Sequence, residues 1–282
     1  MDHSLNRIVA IPNWSFYDPG LCEEARSLVA ERGLTVHYAK GDIDHQRTVT
    51  AFSGTQSDVF DALDVLADFL LPYIDLQVQK GVHPRVGGLD VAPFVLLEGY
   101  EPDLIAGVTI WALRFSNRFD VPVHLYEKAA KPGREDRLPY LRGQVGDLDL
   151  APDFGHYPHP KWGKTIIGVR DFLLAANLNL LISDLGDVRS IAKEIRFQRD
   201  RGQLALQGVR ALAFELKSRG MTQLSLNLTD PNATTFDAVY AIAEDLLDGF
   251  EIFIETELIG VIRERDVAGA QHLTFDPSQV VY

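Results

Sequence analysis

The order of apolar and polar residues in the second half of the chain predicts six elements. Strands are expected where short apolar runs are bounded by turn residues, and helices where apolar residues recur every three or four positions. The predicted elements are a strand at 172–181, a helix from Val188 closed by Gly202, strands at 209–216 and 223–228, a helix from Phe236 to Gly249 and a strand at 250–254. This β-α-β-β-α-β order is that of a ferredoxin-like unit.

The first half can be read in the same way. Its predicted elements are strands at 7–13, 34–38, 47–52 and 91–97, with helices at 21–30 and 57–71, followed by a further helix at 104–115 and strand at 121–126. The fold class is therefore expected to be α+β, with two tandem ferredoxin-like subdomains whose helices pack on one face of each sheet. We expect the first subdomain to span residues 1–170 and the second to span residues 171–282.

A long segment, Lys131–Gly163, separates these regular patterns and is rich in Pro, Gly, His and charged residues. A loop of that length in a compact protein is usually functional or disordered. The absence of low-complexity sequence and the apolar run that follows favour an ordered, functional segment.

Composition limits the classes of function. The chain of 282 residues has a formal net charge of −13, which argues against a nucleic-acid-binding surface. No apolar run approaches the roughly 20 residues needed to cross a bilayer, and the first residues lack the pattern of a secretory signal. The single Cys22 cannot form an internal disulfide. We expect a cytoplasmic protein that acts on small molecules.

The residues with the clearest chemical signal are Gly81-Val82-His83-Pro84-Arg85. Glycine permits unusual dihedrals and proline fixes the direction of the chain, so this layout suits an imidazole that points out of a loop. Histidine titrates closest to neutral pH, as general acid/base catalysis requires. On the imidazole alone, a surface or hydrogen-bonded histidine is the commoner interpretation.

Further segments of the chain favour the catalytic interpretation of this histidine. The chain resembles the formiminotransferase family, the folate-dependent glutamate formimidoyltransferases, in a series of segments that follow the family's order. These segments are 9–15, 42–54, 80–94, 121–127, 151–155, 168–180, 223–230 and 257–262.

The resemblance implies that His83 is the acid/base group in formimino transfer from N-formimino-L-glutamate to N5 of tetrahydrofolate. It implies tetrahydrofolate as co-substrate between the two halves, no catalytic metal, a setting in histidine degradation and a homodimer. It also implies a folate-binding loop made of Gly155, His156, Tyr157, Pro158, His159, Pro160, Lys161, Trp162 and Gly163.

The residues of this loop suit a pterin and its tail, because Tyr157 and Trp162 can stack on flat rings. Either Lys161 or Lys164 can meet a glutamate carboxylate, and the spacing of His156 and His159 does not establish a zinc site.

Three polar residues near His83 have two interpretations each. Arg85 either binds a substrate carboxylate through its planar fork or forms an ion pair with Asp90 or Asp75. Asp42 and Asp44, together with His45, form a polar group that we interpret as a wall of the substrate cleft. Metal binding there is the weaker alternative, since loop capping by Asp is common.

The chain departs from the family's pattern near the expected site. Val82 replaces an acidic residue, Gln79 replaces a second histidine, and Phe16 replaces a carboxylate. Losing a carboxylate beside an imidazole removes a charge that stabilises the imidazolium. Two alternatives therefore stay open: a folate-dependent formyl-group transferase, and a folate-binding relative that has lost transferase activity.

Overall fold

A computed structural model of the chain describes residues 6–135, 137–143, 150–182, 184–247 and 254–282. The chain divides into two compact units, Met1–Arg170 and Asp171–Tyr282. Each unit combines helices with a β-sheet, so the protein is a mixed α and β structure.

The first unit contains one seven-stranded sheet. Its elements are β1 (Arg7–Ala10), β2 (Asn13–Trp14), α1 (Pro19–Ala30), β3 (Thr35–Asp42), β4 (Arg47–Thr55), α2 (Gln56–Leu70), β5 (Leu89–Glu98), α3 (Glu101–Phe119), β6 (Val123–Glu127), α4 (Leu138–Leu141) and β7 (Thr165–Val169). The sheet order is β3, β4, the pair β1 and β2, β5, β7, β6. Along this sheet, neighbouring strands from β3 as far as β5 pair antiparallel to each other. Beyond β5, strand β7 pairs in parallel with both β5 and β6.

Helix α2 shows why these residues form this unit. Thr55 caps its N-terminus by accepting a hydrogen bond from the backbone N–H of Asp58. Its buried residues recur at helical spacing, among them Val59, Leu63 and Leu66, and face a core that also contains Trp14 and Trp111. The helical prediction for 57–71 is confirmed to within one residue at each end.

The sequence reasoning missed strand β7. This strand lies between β5 and β6 and pairs in parallel with both. All five of its residues are buried, so it has no alternation of apolar and polar positions. With Gly168 near its end, it does not carry the period-two pattern that identified the antiparallel strands.

The second unit contains a four-stranded antiparallel sheet in the order β11-β8-β10-β9. Its elements are β8 (Leu174–Leu180), α5 (Leu185–Asp200), β9 (Val209–Leu216), β10 (Met221–Leu228), α6 (Phe236–Leu246) and β11 (Ile254–Ile259), followed by the short parallel pair β12 (Ile262–Arg263) and β13 (Val280–Val281). The strand predicted at 250–254 lies mostly outside the described residues, and the observed strand continues to Ile259. The predicted helix end at Gly249 also falls outside them.

Among the helices in the described ranges, none has the length and apolar character needed to cross a membrane.

His124 in β6 is a buried histidine whose titration links pH to stability. Burial, together with the positive charges of Lys164 and Arg134, lowers its pKa to about 4, against the opposing charge of Asp153. The unfolded chain therefore binds a proton near pH 6.5 that the folded chain does not take up until about pH 4. From this residue we expect the free energy of unfolding to fall by about 3 kcal/mol as the pH drops across that range.

His124→Gln should reduce this loss of stability at low pH. The measurement is urea unfolding between pH 4 and 7, followed by tryptophan fluorescence, since Trp14, Trp111 and Trp162 all belong to the first unit. An equal pH dependence in the variant and the unsubstituted protein would contradict the assignment to His124.

Candidate active site

The loop that carries His83 is held against the turn between β3 and β4. The backbone N–H of Val82 donates to the carbonyl of Asp44 at 2.9 Å. A Cβ atom on Gly81 would lie 2.1 Å from the carbonyl oxygen of His45, so only glycine allows this close backbone approach. The loop and the turn therefore form one local structure.

His83 is partly buried and contacts a carbonyl and a guanidinium group. Its Nδ1 lies 2.9 Å from the carbonyl oxygen of Pro84. Arg47 Nη1 lies 2.8 Å from Nδ1 and 2.9 Å from Nε2. A carbonyl only accepts and a guanidinium only donates, so we assign the proton to Nδ1 and the lone pair to Nε2 of a neutral ring.

The charged surroundings favour that neutral form. Burial holds the pKa of His83 well below its ordinary value of 6.5, and the positive charges of Arg47 and Arg142 lower it further. The ring of His45, with its centroid 5.7 Å away, lowers it slightly, and the Pro84 carbonyl raises it. At neutral pH the imidazole is therefore uncharged, with the lone pair of Nε2 facing Arg47.

Arg47 opens β4 and is itself fixed by Asn13 of β2. Arg47 Nε and Nη2 both donate to Asn13 Oδ1, at 2.9 Å and 2.6 Å. Burial and the charges of Arg142 and Arg85 lower the pKa of Arg47 to about 9, while Asp90 raises it. Sequence reasoning assigned no role to Arg47 or Asn13, although both lie in segments that carry the family resemblance.

A buried ion pair lies behind the His83 loop. Asp90, at the start of β5, pairs with Arg142 and accepts a hydrogen bond from the backbone N–H of Val86 at 2.7 Å. The side chains of Asp90 and Arg142 are nearly inaccessible to solvent. This pair joins the loop to the segment that follows α4, and sequence reasoning did not identify Arg142.

Arg85 does not form the ion pair that the sequence suggested as an alternative. Asp90 pairs with Arg142 instead, while Arg85 donates to the backbone carbonyls of Gln46 at 2.8 Å and Gln79 at 2.8 Å. A longer bond of 3.4 Å reaches the carbonyl of Ser15. Arg85 therefore ties the loop to its neighbours through carbonyls, which no side-chain pattern reveals.

Asp42 and Asp44 lie at the turn that supports this loop. Asp42 ends β3, and its carboxylate accepts a hydrogen bond from the backbone N–H of His45 at 2.8 Å. This is the loop-capping arrangement expected as the commoner role of such an aspartate. Within the described part of the chain, no group of three or more His, Cys, Asp or Glu residues is placed to hold a metal ion.

The end of the predicted folate loop packs directly on the His83 loop. The backbone N–H of Gly88 donates to the carbonyl of Trp162 at 2.8 Å, and that of Lys164 donates to Val86 at 2.9 Å. Gly163 has a φ of +61°, and a Cβ there would lie 2.1 Å from the Val86 carbonyl oxygen. The start of the folate loop lies elsewhere in the first unit, since a Cβ on Gly155 would meet Pro122 and Ser116.

The aromatic residues of this loop have different surroundings. Tyr157 is 86% exposed. Trp162 is partly buried, its ring stacks on His159 with centroids 4.2 Å apart, and its Nε1 donates to the Ile74 carbonyl at 3.1 Å. Tyr157 therefore offers an open ring face, whereas one face of Trp162 is already covered.

The remaining residues of the loop are mostly polar or conformationally restricted. His156, Pro158, Pro160 and Lys161 are exposed. Lys161 also contributes its backbone carbonyl, which accepts from the N–H of Leu76 at 2.9 Å. The structure thus brings His83, Arg85, the Asp42–Asp44 turn and the Trp162–Gly163 end of the loop into one region of the first unit.

Comparison with known proteins gives matches along nearly the whole chain. The model of the formiminotransferase domain, N-terminal subdomain, matches residues 8–170, and that of the formiminotransferase domain matches residues 175–274. A glutamate formimidoyltransferase of Thermoplasma acidophilum is 32% identical over 236 residues, covering 79% of this chain and 77% of that protein. A glutamate formimidoyltransferase of Streptococcus pyogenes is 28% identical over 221 residues, covering 75% and 72%.

Longer relatives are matched over part of their length. The formimidoyltransferase-cyclodeaminase of Sus scrofa is 34% identical over 206 residues, covering 69% of this chain and 38% of that protein. Among solved structures, a periplasmic protease of Escherichia coli gives a TM-score of 0.23 at 10% identity over 88% of this chain and 34% of that chain, which supports no conclusion. The two domain models and the archaeal relative together show that the chain belongs to the formiminotransferase family.

Proposed function

We infer that the chain is a glutamate formimidoyltransferase, which moves the formimino group of N-formimino-L-glutamate to N5 of tetrahydrofolate. The family assignment supports this transfer, and the observation that carries the chemistry is the position of the His83 imidazole, held by Arg47 and the Pro84 carbonyl. The folate is a co-substrate, and histidine degradation is the metabolic setting.

The chemistry requires one proton to leave the attacking amine and one to reach the departing amine. N5 of the folate bonds to the amidine carbon of the donor and gives a tetrahedral intermediate. His83 Nε2 exchanges its hydrogen bond from Arg47 for one from N5, takes the proton released from N5 and transfers it to the α-nitrogen of glutamate as the carbon–nitrogen bond breaks. A single imidazole can serve both steps if it reaches each nitrogen.

Both units are further proposed to be ferredoxin-like. In the second unit, the four strands of the β-α-β-β-α-β series lie in the order fourth, first, third, second. In the first unit, the strands β1, β3, β4 and β5 follow the same order, and β7 and β6 extend the sheet beyond β5. These orders support the proposal.

The loop 155–163 is proposed to bind the folate, with Tyr157 as the stacking residue. We expect Tyr157→Ala to weaken tetrahydrofolate binding about 2- to 12-fold, because an aromatic pair contributes about 0.5–1.5 kcal/mol beyond its buried area. Stability should be unaffected, since the side chain is 86% exposed. Fluorescence titration measures the affinity, with Tyr282→Ala, another exposed tyrosine, as the matched control.

A transfer assay tests the function as a whole. The purified protein is incubated with tetrahydrofolate and N-formimino-L-glutamate, and the formation of 5-formimino-tetrahydrofolate is followed. We expect turnover with this donor. Turnover only with a formylated donor would instead support a formyl-group transferase, and folate binding without turnover would support a relative that has lost activity.

The resemblance to the family also suggests a homodimer, which stays a prediction. Sedimentation equilibrium of the purified chain, whose mass is 31.4 kDa, tests it by distinguishing one copy from two.

A further inference from the structure

The surroundings of His83 have more positive than negative charge. Arg142 and Arg85 both lower the pKa of Arg47, so each of them lies within electrostatic reach of Arg47. Among the described residues whose charge acts on Arg47, Asp90 is the negative one. Buried charges are normally paired, because desolvating an unpaired ion is costly.

Hydrogen-bonding capacity remains on Arg47 and on Arg142. Arg142 is 7% exposed, and its Nε has no hydrogen-bond partner among the described residues. Arg47 donates to Asn13 and His83 through three of its nitrogens, but each terminal nitrogen carries a second N–H. Arg85 donates to backbone carbonyls through both of its terminal nitrogens. An anion beside His83 would therefore meet a second N–H on Arg47 and the positive charge of Arg142, whose buried Nε keeps an unused donor.

We propose that Arg47 and Arg142 bind the α-carboxylate of the amino-acid donor next to His83. The proposal rests on the proposed function and names the part of the donor that this site recognises. Guanidinium groups suit this role, since their planar forks match a carboxylate and charge-assisted hydrogen bonds are strong.

The chemistry of the two substrates distinguishes the carboxylates that could bind here. In the donor, the α-carboxylate is attached to the same carbon as the nitrogen that leaves. In tetrahydrofolate, the glutamyl carboxylates are separated from N5 by the whole p-aminobenzoyl group. Arg47 directly contacts the imidazole, so a carboxylate on Arg47 places the leaving nitrogen, and not the folate tail, within reach of His83.

Binding at this position would also change the proton affinity of His83. Arg47 and Arg142 hold its pKa down in the free protein, together with burial and His45, and a bound carboxylate offsets these positive charges. Asp90 already offsets part of the charge on Arg47. The donor would thus strengthen the base that its own transfer requires.

Calorimetric titration of the full chain with L-glutamate tests the proposal. The variants are Arg47→Gln, Arg47→Lys, and Arg142→Gln combined with Asp90→Asn, which leaves no buried charge without its partner. Arg114→Gln removes an arginine from an ion pair with Asp64 on the same unit and serves as the matched control. Two further probes are 4-aminobutyrate, which lacks the α-carboxylate, and L-norvaline, which lacks the side-chain carboxylate.

We expect Arg47→Gln and the double variant to weaken L-glutamate binding at least ~10-fold, as for lost hydrogen bonds to charged groups, with a smaller loss for Arg47→Lys. The unsubstituted protein should bind L-norvaline more tightly than 4-aminobutyrate, and Arg114→Gln should bind L-glutamate normally. Tryptophan fluorescence of each variant verifies that the first unit is folded.

Unchanged L-glutamate affinity in folded variants would overturn the proposal. Weakened tetrahydrofolate binding with unchanged L-glutamate binding would overturn it in favour of the folate tail. If the protein binds L-glutamate through these arginines but shows no transfer, the proposed function fails and this inference stands. If transfer occurs but Arg47→Gln and the double variant bind L-glutamate normally, the proposed function stands and only this inference fails.

Discussion

His83→Ala is expected to lower kcat for formimino transfer about 100- to 10,000-fold, the range typical of losing a general acid/base group. Two proton transfers depend on this one ring, so neither addition to the amidine carbon nor release of glutamate keeps its normal rate. Tetrahydrofolate affinity should be retained, because the loop 155–163 is held to the chain by its own backbone hydrogen bonds.

Steady-state kinetics with both substrates varied provides this measurement. His272→Ala is the matched control, since His272 is an exposed histidine of the second unit that pairs with Asp237. A variant whose main defect is a raised KM for the donor, with kcat near normal, would assign His83 to substrate binding and not to proton transfer.

The second large effect is expected from Gly81→Ala. The new Cβ would lie 2.1 Å from the His45 carbonyl oxygen and 2.5 Å from its carbon, and backbone atoms cannot move aside as a flexible side chain can. The loop must shift, and His83 with it. A displacement of about 1 Å at a catalytic group can cost roughly 100-fold in rate, so we expect kcat to fall by that order.

Gly81→Ala should also lower the free energy of unfolding by about 1–3 kcal/mol, typical of overpacking. The matched control is Gly20→Ala in helix α1, where the new Cβ would meet a side-chain oxygen of Asp18 at 3.2 Å. Both variants are compared by urea unfolding and by the transfer assay. A fully active Gly81→Ala protein would show that the close approach of the loop to His45 does not position His83.

The periodic elements of this fold could be predicted from the sequence because each has a local pattern. Helix α2 and strand β9 were placed within one residue at each end, since their apolar residues recur with a single clear period. Strand β7 could not be recognised in this way, because parallel pairing buries both of its faces and removes the alternation.

The residues of the candidate site also differ in how far the sequence alone could identify them. Gly81, His83 and Pro84 are neighbours in the chain, so their combination is visible in the sequence. Arg47 reaches His83 across 36 positions, and Arg142 reaches Asp90 across 52. Such pairs depend on strand register and on loop packing, which a single sequence does not specify.

Arg85 shows a further limit of sequence reasoning. Its charge suggested a carboxylate partner, but its guanidinium group donates to the carbonyls of Gln46 and Gln79. Every residue carries the same backbone carbonyl, so no residue type marks the true acceptor. The role of such an arginine emerges only from the folded loop.

Chemical rescue in single turnover tests the role of His83 most directly. The rate constant for 5-formimino-tetrahydrofolate formation is measured for His83→Ala with and without free imidazole. We predict a slow reaction without imidazole and a rate that rises with imidazole concentration, because the added base replaces the missing ring. A variant that reacts without imidazole at the rate of the unsubstituted protein would contradict the account.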